Sequence, residues 1–214
     1  MSLFITFEGP DGSGKTTQAR ALYEYLRERG YPVLLTREPG GTSIGDQIRE
    51  ILHSVENVEM LPRTEILLYS ASRAQLVGQV ILPSLAQGKI VLCDRYADST
   101  LAYQGYGHGL DLELLEIITA FATNSLKPNL TIYLDINVEE GLRRKWMAHQ
   151  VGETEWNRMD RQEVAFHQRV REGYLRMVEA EPERWWVVDA LQPLEDLQEV
   201  IRIKVEALWK SRGN

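Results

Sequence analysis

At 214 residues and a formal net charge of −7, the chain is long enough to bury one sizeable core and too acidic overall to grip a nucleic-acid polymer through its general surface. No apolar run approaches the ~18 residues that a membrane span needs, and the start Met1-Ser2-Leu3-Phe4 lacks the basic region and cleavage site of a secretory signal. The lone Cys93 excludes an internal disulfide and four scattered histidines offer no zinc site, so the chain reads as one soluble domain of the reducing cytoplasm.

The first element is a strand, Leu3–Phe7, which closes on Glu8 and runs into a glycine-rich loop. A helix over Lys15–Arg29 follows, with Ala19, Leu22 and Leu26 on one face and Gly30 as its stop. The strand Val33–Thr36 leads into Arg37-Glu38 and a tight turn at Pro39, Gly40 and Gly41, then into helices over Ser43–His53 and Pro62–Gln87. The third strand, Ile90–Cys93, ends on Asp94-Arg95. The helix after it, Asp111–Thr123, carries Leu112, Leu115 and Ile118 as a core stripe that could extend a dimer face. Strand Thr131–Leu134 ends on Asp135; helices over Val138–Trp146 and Arg161–Ala180, strand Trp186–Val188 and helix Leu194–Trp209 complete the chain. Trp185, Trp186 and Trp209 are expected in the core near the C-terminus.

The strand runs are nearly continuous in hydrophobicity, as suits strands buried on both faces of a parallel sheet. Strands alternating with helices predict an α/β fold, a three-layer α/β/α sandwich around a five-stranded, mainly parallel sheet. In such folds ligands bind beyond the C-terminal strand ends. Four of the five strands end there on suggestive residues: Glu8, Arg37-Glu38, Asp94-Arg95 and Asp135.

The segment Gly9-Pro10-Asp11-Gly12-Ser13-Gly14-Lys15-Thr16 matches G-x-x-x-x-G-K-[ST] without a mismatch, between a predicted strand and a predicted helix. Its glycines let successive backbone N–H groups turn inward around a phosphate, and the helix dipole adds to them. Lys15 is placed for the β- and γ-phosphates and Thr16 for Mg²⁺, with Thr17 next in the first turn. A P-loop alone fits a GTPase, an ATPase motor or a kinase. The chain has no Asn-Lys-x-Asp guanine reader and no Leu-Ser-Gly-Gly-Gln transporter signature, and it is short, which favours a small-molecule kinase.

Two more runs stand out: Thr36-Arg37-Glu38-Pro39-Gly40-Gly41-Thr42, and Asp94-Arg95-Tyr96 with Asp98-Ser99-Thr100-Leu101-Ala102-Tyr103-Gln104-Gly105. Together with the P-loop, in this order and spacing, they resemble the bacterial thymidylate kinases over nearly the whole chain. The resemblance implies the P-loop NTPase type of fold, transfer of the γ-phosphoryl group of ATP to dTMP with Mg²⁺, and a homodimer. By the same resemblance Asp94 holds Thr16 or a magnesium-bound water, and Arg95 clamps the acceptor and the transferred phosphate. Arg73 donates to a thymine carbonyl while Tyr69, one turn earlier, stacks on the base; Asp11 holds the sugar 3′-hydroxyl; Thr100, Tyr103 and Gln104 line deoxyribose and base. Arg37 and Glu38 organise the acceptor phosphate and magnesium waters, with Pro39 beside them in the substrate site.

The lid of such an enzyme falls at about 143–161, with Gln150-Val151-Gly152-Glu153-Thr154 as a flexible tip. Some family members carry an arginine directly after the P-loop acid; here that position is Gly12, which implies an arginine drawn from the lid. Arg158 matches that arginine and Arg144 a residue packing against adenine, while Met147, Ala148 and His149 replace arginines found elsewhere in the family. Another nucleoside monophosphate or deoxynucleoside kinase, and a nucleotide-dependent switch ATPase, are the competing readings.

Overall fold

In a strand, alternate residues face opposite sides of the sheet, and the first strand divides the core in this way. In β1 (Leu3–Glu8) of the computed structural model, which describes residues 1–212, Leu3, Ile5 and Phe7 point to one layer. There they meet Ala19, Leu22 and Leu26 of α1 (Lys15–Glu28) and Leu197, Ile201 and Val205 of α9 (Leu194–Ser211). Phe4 points to the other layer, onto Leu76, Ile81 and Tyr96, and Glu8 shares its parity. The three-layer sandwich follows from that alternation.

The remaining strands are β2 (Val33–Arg37), β3 (Ile90–Asp94), β4 (Leu130–Asp135) and β5 (Trp185–Asp189). All pair in parallel in the order β2-β3-β1-β4-β5, so the expected sheet is present with every strand in it. β1 lies at the centre, between neighbours reached by crossovers of opposite direction, which opens a crevice beyond its C-terminal end. Register carries Phe7 beside Asp94, Asp94 beside Arg37, and Glu8 beside Tyr133, so the four chemically marked strand ends share one rim.

Helix α2 (Ser43–His53) has the predicted bounds, capped by the Thr42 hydroxyl, which accepts from Gly45 N. The predicted helix Pro62–Gln87 is α3 (Pro62–Leu76), a wide π-turn at Val77–Ile81 and α4 (Leu82–Ala86). The wide turn sits one residue before the pair containing Pro83, whose ring cannot accompany a normal turn. A second helical stretch was not expected: α5 (Ala97–Thr100) continuing as a π-helical run Leu101–Gly107. Its buried face mixes Asp98, Thr100, Tyr103 and Gln104, so it shows no apolar period.

Helices α6 (Leu112–Thr123), α7 (Val138–Gln150) and α8 (Val164–Ala180) complete the layers. α7 runs further than expected, and a 3₁₀ turn at Met159–Arg161 precedes α8. Trp185 is buried, while Trp186 and Trp209 pack against the core edge; Leu115 is the buried member of the α6 stripe, with Leu112 and Ile118 half-buried. Among the described residues no helix is long and apolar enough to cross a membrane.

Candidate active site

The P-loop folds around its own lysine. Gly14 caps α1 in the left-handed conformation, φ 88°, and Lys15 Nζ donates back to Gly9 O at 3.0 Å, Pro10 O at 2.8 Å and Ser13 Oγ at 3.3 Å. Burial pushes the Lys15 ammonium down to about 7 and Arg95 adds repulsion, opposed by Asp11, Asp94 and Glu8. The Thr16 hydroxyl donates to the Asp94 carboxylate at the end of β3. The loop also rests on α7: a Cβ on Gly12 would run into the Gly141 carbonyl oxygen, and one on Gly141 into that of Asp11.

Arg95 follows β3 at φ 66°, a conformation that costs a non-glycine residue and that its contacts impose. Its Nη2 donates to Asp11 Oδ1 at 2.8 Å and Tyr103 OH at 3.0 Å. Its Nη1 donates to Gly9 O at 3.3 Å, Ser99 Oγ at 3.2 Å and Tyr174 OH at 3.4 Å. Behind it lies Glu8, wholly buried, accepting from Ser99 Oγ, Tyr174 OH and Tyr96 N, each at 2.7 Å. Burial and then Asp98 raise the Glu8 carboxyl, against Arg95 and the hydroxyl donors.

An acid inside a phosphate loop needs cations to stay ionised. Burial would push Asp11 up, but Lys145, Arg95 and Lys15 hold it well below the usual carboxylate range. Lys145, on α7, approaches Asp11 Oδ1 at 3.4 Å and forms an ion pair with Asp160. Burial, and then Asp11, pushes the Asp160 carboxyl up to about 6.

On the acceptor side Arg73 is 1% exposed. It donates to Glu38 Oε2 at 2.7 Å, Thr100 Oγ1 at 3.0 Å and Tyr96 O at 3.2 Å, so three of its five donors are engaged. Among the described residues Glu38 Oε1 has no partner, and burial raises that carboxyl to about 7 against the pull of Arg73. Arg37, more than half exposed, pairs with Asp46 at 3.1 Å on the rim, and Pro39 O accepts from Arg49 at 3.3 Å.

One cavity of about 1060 Å³ joins these parts. Its walls include Asp11, Gly12, Gly14, Lys15, Thr16, Thr17, Arg37, Glu38, Pro39, Tyr69, Arg73, Asp94, Arg95, Thr100, Tyr103, Gln104 and Arg144. Gly9, Pro10 and Ser13 lie behind the loop surface. Arg144 donates to Glu140 at 2.8 Å and to Ala190 O at 2.9 Å, across the end of β5.

Arg158 is placed differently from the expectation. It is buried against Glu65 and the Leu52 carbonyl, outside the cavity wall, because the buried Glu65 carboxylate gives its guanidinium a countercharge. Within 143–161 it is Lys145 that stands beside the P-loop. Sequence reasoning marked Glu8 only as a strand end, and it passed over Glu65, Gly141 and Tyr174. The parity of β1 was the available signal for the buried role of Glu8, and the four-residue spacing from Lys145 on one helix was the signal for Gly141.

This geometry can hold a polyphosphate on the P-loop and a second phosphate under Arg95, with an apolar and polar slot for a base between Tyr69 and Gln104. The family model described as thymidylate kinase matches residues 7–201. A thymidylate kinase from Roseiflexus castenholzii is 59% identical, covering 96% of this chain and 93% of its own. One from Herpetosiphon aurantiacus is 52% identical, with 96% of each chain covered. The crystal structure of thymidylate kinase from Ehrlichia chaffeensis superposes with a TM-score of 0.73 at 34% identity, covering 97% of this chain and 98% of that one. Motif, sheet order, cavity and these likenesses agree, and the chain belongs to the thymidylate kinase family of phosphotransferases.

Proposed function

We propose that the chain transfers the γ-phosphoryl group of ATP to dTMP, giving dTDP and ADP. A phosphate oxygen of dTMP forms the new bond to the γ-phosphorus as the bond from that phosphorus to the β,γ-bridging oxygen breaks, and the electron pair leaves on ADP. Such a transfer asks for alignment and for cations around the moving group. The observation that carries the reading is the single cavity in which Lys15 and Arg95 face the Tyr69, Arg73 and Tyr103 slot across Asp11. Lys15 holds the β- and γ-phosphates, Arg95 the acceptor phosphate, and Lys145 supplies the lid cation; Arg158 reaches the phosphates only by leaving Glu65. Arg144 flanks the adenine, and Asp11 accepts from the 3′-hydroxyl. Residues 143–161 act as a lid on one kinase domain.

The Thr16 hydroxyl and Asp94 carboxylate, already in contact, are two hard oxygen ligands at the phosphate end of the cavity. They suit Mg²⁺, a hard cation that prefers oxygen ligands, and would hold it there. When bound, the ion neutralises charge on the β- and γ-oxygens. A coupled assay offering dTMP, dUMP, UMP, CMP and thymidine in turn tests the reading. Fastest turnover is expected with dTMP, and equal or greater turnover of CMP, UMP or thymidine overturns it.

The chain works as a homodimer in the cytoplasm on this reading. Support comes from Leu114, Ile117 and Phe121, a stripe at helical spacing on α6 that is 56%, 62% and 89% exposed, beside the exposed Leu67 of α3, which packs on α6. Sedimentation should give twice the 24.5 kDa chain mass, and Phe121→Glu should return the monomer.

A further inference from the structure

Glu65 of α3 is 1% exposed, outside the cavity wall, and meets three side chains from two other segments. Gln104 Nε2 donates to its Oε1 at 2.7 Å, His108 Nε2 lies 3.4 Å from the same oxygen, and Arg158 pairs with Oε2. Burial alone would raise this carboxyl; the nearby His108 ring and the donors of Arg158 and Gln104 hold it below its ordinary value, so it stays a carboxylate at neutral pH. A carboxylate accepts and never donates, so a primary amide can face it only through nitrogen. The Gln104 carbonyl oxygen is thereby turned the other way. Among the described residues no group donates to it, it is not sealed from solvent, and Gln104 lines the cavity with Tyr69, Arg73 and Thr100.

We infer that Glu65 is a specificity-determining positioning residue: by taking the Gln104 amide nitrogen it presents the amide oxygen to the acceptor base, so that the cavity accepts a pyrimidine carrying N3–H and rejects one whose N3 is a bare acceptor. The inference rests on the proposed dTMP reading and deepens it. Thymine and uracil offer N3–H to the oxygen. Cytosine sets a lone pair against it and leaves both groups desolvated without a partner. Glu65 touches neither substrate; it acts by fixing which end of one amide faces the slot.

Replacing the carboxylate by its isosteric amide reverses the constraint. In Glu65→Gln the new amide oxygen can still accept from Arg158, and its nitrogen then faces Gln104, whose own nitrogen swings toward the base. The ratio of kcat/KM for dTMP to that for dCMP should fall roughly ten- to a hundredfold, with dUMP losing in step with dTMP. KM for ATP should stay unchanged. A purely structural role would lower all acceptors together and leave the ratio where it was.

Should Glu65→Gln fail to fold because Arg158 has lost its countercharge, the double variant Glu65→Gln/Arg158→Gln removes the buried charge pair whole. The ratio cancels any loss of rate common to both acceptors. A wild-type preference for dTMP that survives unchanged in whichever variant folds overturns the role of Glu65 and leaves the dTMP reading standing. A wild-type enzyme that turns over no dTMP overturns that reading and this inference with it.

Discussion

The floor of the cavity and the segment that covers it are held in place by different kinds of force. The floor is backbone: the lysine of the P-loop bonds to the loop's own carbonyls, and the bare backbones of Gly12 and Gly141 press the loop onto α7. The covering segment hangs on side-chain ion pairs, Lys145 with Asp11 and Asp160, and Arg158 with Glu65. A backbone cradle offers donors that neither titrate nor rotate, which suits the invariant triphosphate. An ion pair can be exchanged for a phosphate, which suits the lid proposed for this segment.

The junction of the two regions should show the largest effect. Arg95 is gripped by the floor through Gly9 O and Asp11, and on the proposed reading Arg95→Ala removes the cation shared by both phosphates. A loss of roughly a thousandfold in kcat/KM for dTMP is expected, checked by steady-state assay. A loss below tenfold would place the acceptor phosphate elsewhere.

The two lid cations separate catalysis from stability. Lys145→Met should lower kcat roughly a hundredfold, since its ammonium stands beside the phosphate loop. It should change stability little, because Asp160, already raised to about 6, readily takes a proton in its absence. Arg158→Met should do the reverse, costing about 3–5 kcal/mol in urea unfolding by leaving Glu65 buried without a countercharge, with a smaller change in kcat. If Arg158→Met proves the more damaging to kcat, the arginine leaves Glu65 during the catalytic cycle and takes the phosphate role.

These contrasts also mark what could be read before any coordinates. The P-loop was legible because one contiguous stretch of glycines, lysine and threonine makes the whole cradle, and local backbone geometry suffices. The five strands were legible because each is a short apolar run, and their charged ends fell on one rim once the sheet was parallel. The lid was not. Arg143, Arg144, Lys145 and Arg158 are chemically alike in a sequence, and which one reaches the P-loop depends on the partners tertiary packing supplies. Glu65 drew Arg158 away, and Asp11 with Asp160 drew Lys145 in. The segment Ala97–Gly107 was missed as helix for a related reason: it buries polar residues that serve the site, so its pattern follows function instead of the core.

A smaller test addresses the backbone contact. Gly141 is helical, so alanine there suits the helix by propensity, and the chief objection is the Asp11 carbonyl oxygen, with the Ile136 side chain crowding the new Cβ more mildly. Gly141→Ala should cost about 1–3 kcal/mol and roughly tenfold in kcat by displacing α7, and Lys145 with it, from the loop. Unchanged kinetics would mean that the two backbones can part without consequence.

The smallest effect expected lies where the covering segment meets α2. His53 Nδ1 lies 3.3 Å from Glu155 Oε2, which Arg49 also approaches at 3.3 Å. Burial, and then Arg49, lowers the imidazole from 6.5 to about 4, despite Glu155. The folded chain therefore takes up this proton less readily than the unfolded one. The stability His53 contributes as a neutral ring is complete above about pH 6.5 and is lost as pH falls toward about 4. Against His53→Gln, which cannot titrate, the wild-type chain should lose about 1–3 kcal/mol between pH 7 and pH 4.5 in urea unfolding. Glu8, Glu38 and Asp160, raised by their own burial, titrate in both proteins and cancel in the difference. Parallel stability curves would show that His53 opens to water with the covering segment before the chain unfolds, and that this segment is held to α2 more loosely than the floor is held to α7.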